Sequence, residues 1–135
     1  MSFSKDSVKF TQNALANLVK VRRVSAFDLF AAIILSTPVD QGTLRGNWFV
    51  SLNADTSETT TATDGSGQAT ISAAQEITNR SGLGEDIVFT NNLPYAARIE
   101  FDGHSGKAPN GMVRVNTTRW KDIVTRNVRK LRSGL

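Results

Sequence analysis

The sequence predicts an α+β fold in a single domain, and three observations support this. The chain has 135 residues, which suits one domain. Residues 6–36 keep a helical hydrophobic period, whereas residues 48–52 and 86–90 are short runs typical of strands. The hydrophobic fraction of 39% and the charged fraction of 21% are those of a globular protein. We therefore expect a long N-terminal helix, a small antiparallel sheet, short helices and a basic C-terminal helix.

The first predicted helix runs from Asp6 to Ser36. Arg22 interrupts its apolar face, but the stem of an arginine can lie on apolar surface while its head reaches water. The helix should end at Thr37, because a residue before proline avoids the helical region. Residues 26–35 are apolar nearly all round, which predicts burial on more than one side. The apolar face consists of Leu15, Leu18, Val19, Ala26, Leu29, Phe30 and Ile33.

A polar turn bracketed by Gly42 and Gly46 precedes the first predicted strand, residues 48–52. Residues 54–67 are rich in threonine, serine and glycine. They predict either a mobile, partner-ordered loop or a projecting hairpin that turns at Asp64-Gly65. Residues 69–80 predict a short helix.

The second half of the chain predicts a strand over residues 86–90 and two helices. Pro94 suits the first turn of a short helix over residues 95–101, and Gly103 ends it. A loop then leads to Gly111 and to a short segment of alternating apolar residues, 112–115. Asn116 or Thr117 should cap the last helix, which extends to Arg132. Its expected inner stripe is Trp120, Ile123, Val124, Asn127 and Leu131.

Composition excludes several classes of site. The chain has no cysteine, so neither a disulfide nor a thiolate metal site can form, and it has a single histidine. We expect no metal and no cofactor. The N-terminus lacks the pattern of a signal peptide, and the longest apolar run, Leu29–Leu35, is too short to span a bilayer. We expect synthesis in the cytoplasm and no membrane partner.

The net charge of +4 is concentrated near the C-terminus, where residues 119–132 carry one acid, Asp122. Such a helix face can meet nucleic acid, an acidic protein surface or an anionic membrane, or can simply be solvated. No interleaved aromatic residues and no DNA-reading motif accompany it, which argues against sequence-specific recognition. Non-specific contact with phosphates stays open. The basic residues are Arg119, Lys121, Arg126, Arg129, Lys130 and Arg132.

Residues 91–115 have the ingredients of an active site but not its spacing. A P-loop needs four residues between its glycines and a hydroxyl residue after the lysine. Gly103 and Gly106 are separated by two residues, and Ala108 follows Lys107. No nucleophile or second histidine completes a set with Glu100 and His104. We therefore expect no enzyme, and we expect Glu100 to pair with Arg98, Arg114 or a neighbouring chain.

Two segments resemble one protein family. Residues 37–48, TPVDQGTLRGNW, resemble the TPVDTGxLRxxW signature of tail-completion and head–tail joining proteins of tailed bacteriophages. Residues 91–115 resemble a second signature, in which NxxPYAxxIEFG precedes a K-x-P-x-G-M-V-R loop and a closing helix. Asp102 stands where the glycine of that pattern usually follows, and residues 54–67 lie outside the resemblance.

The resemblance implies a non-enzymatic virion protein whose protomers assemble into a ring in the phage neck, commonly sixfold. Such a ring lies between the portal-side connector and the tail tube. The resemblance leaves open whether the chain is a head-side adaptor or a tail terminator. It also leaves open whether the basic helix meets genomic DNA or protein. A ring needs two different complementary surfaces on each protomer. The expected interface residues are Arg45, Arg98, Glu100, His104, Lys107, Arg114, Arg126 and Arg129.

Overall fold

A computed structural model describes residues 3–103 and 105–134 and confirms the α+β class. The short turn Arg45–Asn47, of 3-10 type, directly precedes the first strand. The remaining elements, in chain order, are α1 (Phe3–Ser36), β1 (Trp48–Leu52), α2 (Gln68–Thr78), β2 (Ile87–Asn91), α3 (Ala96–Asp102), α4 (Val113–Thr117) and α5 (Trp120–Arg132). Within the described residues, no helix has the length and apolar character needed to cross a membrane.

The long helix α1 divides into a packed half and an exposed half. It ends at Ser36, as expected, and the Thr37 hydroxyl donates to the Ile33 carbonyl over 2.8 Å. Residues 25–34 include the helix's most buried side chains, whereas residues 4–18 are all exposed. Leu15 and Leu18, which belong to the predicted apolar face, are therefore not part of the core. Both lie on a part of the helix that extends beyond the body of the protomer.

Two arginines attach α1 to the loop after α2. The Arg22 guanidinium donates to the carbonyl of Gly82 over 2.8 Å and also to that of Glu85. Arg23 Nε donates to the Ser81 carbonyl over 2.7 Å. Arg22 is half-buried, and its head binds these carbonyls as well as reaching the surface.

The sheet consists of two antiparallel strands, with Trp48 opposite Asn91 and Leu52 opposite Ile87. β1 has the predicted bounds, and β2 begins one residue later than expected. The Phe89 ring stacks between Phe30 and Trp48, with centroid distances of 4.3 and 4.6 Å. This stack joins the sheet to α1. The surrounding buried core consists of Ile33, Ile34, Leu44, Trp48, Ala74, Ala96, Ile99, Ala108 and Met112.

Residues 54–67 contain no strand, so the predicted hairpin is wrong. Two asparagine side chains instead hold the segment against the body. The buried Asn47 donates to the Thr60 carbonyl and accepts from the Thr60 amide, both over 2.9 Å. Asn92 Nδ2 donates to the carbonyls of Thr56 and Glu58 over 2.8 and 2.9 Å.

The C-terminal region forms two helices where one was expected. Residues 113–117 form α4, and α5 begins at Trp120 rather than at residue 117. Asn116 does not cap α5; its amide donates to Ser36 Oγ over 3.0 Å and joins α4 to the end of α1. Ile123 and Asn127 are buried as predicted, but Trp120 is 40% exposed, so its assignment to the inner stripe is wrong.

Candidate interaction surface

The fold brings the two segments of the family resemblance together. The Asn91 side-chain amide, at the start of the second segment, donates to the Leu44 carbonyl of the first over 3.0 Å. The Lys107 ammonium donates to the Val39 carbonyl over 3.1 Å. Residues about 50 positions or more apart in sequence therefore form one local structure.

Arg45 takes part in this local structure. Its guanidinium donates to the carbonyls of Leu35, Thr37 and Gly65, with the shortest contacts at 2.7 Å. Carbonyls at the end of a helix have no partner within that helix, and Arg45 satisfies two that lie at the end of α1. Arg45 thus has a structural role within the protomer, and its expected place at an interface stays a prediction.

Trp48 anchors the same corner. Its indole N–H donates to Thr37 Oγ1 over 2.8 Å, and both residues are buried. A buried indole usually finds such a partner, because an unpaired N–H away from water is costly. The first motif thus joins the end of α1 to the start of β1.

Gly42 explains why the first motif requires glycine. Its φ is +89°, and a Cβ atom there would lie 2.7 Å from the Gly65 nitrogen. Glycine adopts this backbone conformation without steric cost. The close approach places the motif against the end of the threonine-rich segment, a contact that sequence reasoning missed.

Asp64 lies near the end of that segment and binds the first turn of α2. Its carboxylate accepts from the Thr70 amide and hydroxyl over 2.9 and 2.7 Å, and from the Gly67 amide over 3.1 Å. Burial raises the pKa of Asp64, but the hydrogen bonds from Thr70, Gly67 and Ser66 together outweigh it and hold the pKa below its ordinary value of 3.8. The ionised form is therefore the one that the fold binds.

Glu100 is an acceptor within the protomer, and its expected place at an interface stays a prediction. It is 6% exposed, and its carboxylate accepts from the amides of Met112, Val113 and Arg114. Arg114 Nε also lies 3.4 Å from its Oε2 atom. These amides open α4, so Glu100 satisfies the donors that a helix N-terminus leaves unpaired. The expected pairing of Glu100 with Arg114 is confirmed.

Gly111 makes the capping of α4 possible. Its φ is +91°, and a Cβ atom there would overlap the Glu100 carboxylate. Any other residue would both strain the backbone and displace the carboxylate. The sequence does show a glycine directly before Met112, but it does not indicate that this glycine contacts Glu100, 11 residues earlier.

Arg114 is shared between the fold and the surface. Its side chain is 54% exposed although it pairs with Glu100, and its guanidinium lies 5.3 Å from the centre of the Phe101 ring. Phe101 is itself 66% exposed. A cation over an aromatic face is favourable, and here it keeps Arg114 against the exposed Phe101 ring at the end of α3.

An open cleft of about 670 Å³ lies where the two motifs meet. Lys107 and Asp40 are exposed beside it, and Tyr95 is half-exposed. His104 lies outside the described residues. In the part of the chain that is described, no three metal-ligating side chains gather closely enough to hold an ion. The cleft is lined by Pro38, Val39, Asp40, Gln41, Gly42, Thr43, Leu44, Tyr95, Ile99, Ser105, Gly106 and Lys107.

The remaining predicted residues lie outside this cleft. Arg98 is exposed on α3, and Arg129 is exposed on α5. Arg126 lies 3.4 Å from the Asp28 carboxylate of α1 and keeps 56% of its side chain exposed. Arg126 and Arg129 line one shallow groove on α5 together with Asp122, Thr125, Lys130 and Ser133. The structure therefore separates the motif cleft from a basic surface on α5.

No protein-family model matches this chain, and no curated protein or solved structure shows significant similarity to it. Function must therefore be inferred from the residues and their arrangement.

Proposed function

We propose that this chain is a structural protein of a tailed-phage virion, a ring-forming tail-completion or head–tail connector subunit of the neck. Its neighbours would be further copies of itself, in a hexamer or another multiple of six, the portal-side adaptor, and the tail tube or its terminator. One observation carries the proposal: two segments that resemble the family's signatures bind each other and line one cleft.

A role without catalysis is supported by how the charged groups of the motifs are used. Arg45 and Glu100 bind backbone carbonyls and amides of their own chain. A carboxylate held by three amides at a helix start is arranged to stabilise the local backbone. These contacts favour a rigid scaffold for assembly.

The outward-facing charges fit the edges of protein contacts. Arg98, Lys107 and Arg129 are exposed. Charges at the rim of an interface set the orientation and the rate of association more than the affinity. We assign them to contacts with neighbouring neck proteins.

The test is the protein content of purified phage particles and the place of this chain within them. Mass spectrometry should detect the chain in intact virions, and a label fused to it should appear between head and tail in electron micrographs. Particles made without the chain should accumulate as separate heads and tails. Virions that lack the chain would refute the proposal. The same micrographs would distinguish a head-side adaptor from a tail terminator, by which structure keeps the label when heads and tails separate.

A nucleic-acid-binding module is the second candidate, and the basic groove of α5 favours it. If several phosphates are neutralised, affinity for DNA should fall steeply with salt, with a slope of about 0.9 for each phosphate contacted. The measurement is a titration of duplex DNA at several salt concentrations. No binding at low salt would eliminate this candidate. Binding could also accompany a neck role, because the genome passes through the neck.

A further inference from the structure

The exposed part of α1, residues 5–18, has an apolar side without a partner among the described residues. Val8, Phe10, Leu15 and Leu18 are 56%, 76%, 46% and 58% exposed. At 100° per residue they fall on one half of the helix, whereas Lys5, Lys9, Asn13 and Ala16 fall on the other. We call residues 5–18 the arm. The apolar half of the arm also carries Ser7 and Thr11. A group of exposed apolar side chains of this size marks a site of contact with another molecule.

A second group of exposed apolar side chains lies at the opposite end of α1. We call it the receiving patch, and it consists of Leu35, Phe101, Val115 and Trp120. Two contacts made by residues next to them in sequence bring three of these segments together: Arg114 lies over the Phe101 ring, and Asn116 binds Ser36 at the end of α1. Each of the four side chains is at least 40% exposed.

One protomer cannot bring its own arm and receiving patch together. Leu15 and Leu35 lie on the same continuous helix, and at 1.5 Å per residue they are roughly 30 Å apart along its axis. Contact between the two groups must therefore join different copies. Such a contact is head-to-tail, and its repetition gives a ring when the rotation closes.

The areas of the two groups also match. From their exposed fractions and ordinary side-chain sizes, each group presents roughly half of the 800 Å² that a specific interface buries on each partner. The polar rims of arm and patch would supply the rest. A symmetric pairing of two arms would leave the receiving patch uncovered, whereas the head-to-tail contact covers both groups.

We propose that the arm of one copy packs on the receiving patch of the next copy, and that this contact links the subunits of the assembly. The inference rests on the proposed ring-forming function, because that function supplies a second copy as the partner. It adds the two surfaces through which copies join. The arm lies outside both sequence motifs, whereas the receiving patch includes Phe101 and Val115 of the second motif.

The first experiment compares assembly in solution by sedimentation and native mass spectrometry. The wild-type chain should form oligomers, and Leu15→Glu/Leu18→Glu should weaken association at least tenfold. The matched control is Asn13→Glu/Ala16→Glu, which adds the same charge to the other side of the arm and should leave assembly intact. Circular dichroism should show that all three chains are folded, since the changed residues are exposed.

The second experiment mixes two defective chains. Phe101→Glu/Val115→Glu disables the receiving patch and should be monomeric alone. Mixed with Leu15→Glu/Leu18→Glu, it should form a one-to-one pair, because one intact arm and one intact patch remain. Pairing of the patch variant with itself would instead show that arms bind each other, and would overturn the proposal.

A wild-type chain that stays monomeric at its highest soluble concentration would also overturn it, as would oligomers that survive the arm variant. These outcomes concern the contact alone. The neck function fails separately, if purified virions lack the chain.

Discussion

Glu100 and Arg129 both carry a full charge, but they use it in opposite ways. Glu100 is 6% exposed and binds the amides that begin α4. Arg129 is exposed on α5, beside a shallow basic groove. The first lies within a family-like motif and the second lies outside both motifs. The comparison teaches that a charged residue within a distinctive motif can serve the fold, so its presence there does not by itself indicate a partner.

The largest expected effect comes from Gly111→Ala, which tests how the Glu100 carboxylate binds the start of α4. A residue other than glycine at φ +91° is strained by roughly 1–2 kcal/mol. Displacing the Glu100 carboxylate adds a loss of about 1–3 kcal/mol. We expect unfolding by urea to show a free energy of unfolding lower by about 3 kcal/mol. The control is Gly84→Ala, where a Cβ atom meets nothing within 4 Å. Equal stability of the two variants would contradict the role of Gly111.

Glu100→Gln should be the next most damaging change. The amide side chain keeps the size of glutamate, but it presents an NH₂ group to amides that are themselves donors. Hydrogen bonds to charged groups contribute about 1.5–3 kcal/mol, so we expect a loss of about 2 kcal/mol in urea or thermal unfolding. Glu76→Gln, on the exposed side of α2, is the control and should change stability by less than about 0.5 kcal/mol. If both changes were neutral, Glu100 would be free for a partner after all.

Asp64→Asn extends the test to a carboxylate that is only partly buried. Its pKa is lowered in the folded state, so its contribution is fully present above the unfolded pKa and disappears as the pH falls through the folded pKa. At pH 7 we expect a loss of about 0.5–1 kcal/mol, at the lower end for a helix cap because water screens the group.

The check on Asp64 is the stability of both chains between pH 7 and pH 2. The difference between them should shrink below pH 3.8, the ordinary value for this side chain. Asp55→Asn is the control, since Asp55 is exposed in the same segment. A difference that stays constant down to pH 2 would show that ionisation of Asp64 is irrelevant.

The smallest effect on stability, and the largest on assembly, should follow from Arg126→Glu/Arg129→Glu. Surface ion pairs such as that of Arg126 with Asp28 contribute about 0–1 kcal/mol. We expect a folded protomer that no longer supports joining of heads to tails in a complementation assay. Lys121→Glu/Arg132→Glu makes the same change in charge on another side of α5 and should support joining. If both variants fail to join heads to tails, the net charge of α5 is what matters, and the groove has no specific role.

Much of the fold could be predicted from local patterns. The alternation of residues 48–52 gave the bounds of β1, and the proline after Thr37 placed the end of α1. Gly103 ends α3 with a φ of +60°, as expected of a glycine after a helix. Each of these signals lies within a few residues of the structure that it determines.

What could not be predicted depends on partners far away in sequence. Residues 112–115 alternate in polarity, yet residues 113–115 lie in α4, where Glu100 accepts from the amides of Met112, Val113 and Arg114. Nothing in the sequence of residues 54–67 indicates that the side chains of Asn47 and Asn92 bind this segment. Leu15 and Leu18 continue the apolar face of α1, and periodicity cannot distinguish burial in the core from exposure to another molecule.

The two tryptophans report on different events in this protein. Trp48 is buried, with its indole bound to Thr37 and its ring against Phe89, so its fluorescence should follow unfolding of the body. Trp120 is 40% exposed in the receiving patch, and its emission should shift to shorter wavelength when a neighbour excludes water from it. Replacing each tryptophan in turn with phenylalanine would therefore provide one optical signal for folding and another for assembly, without any added label.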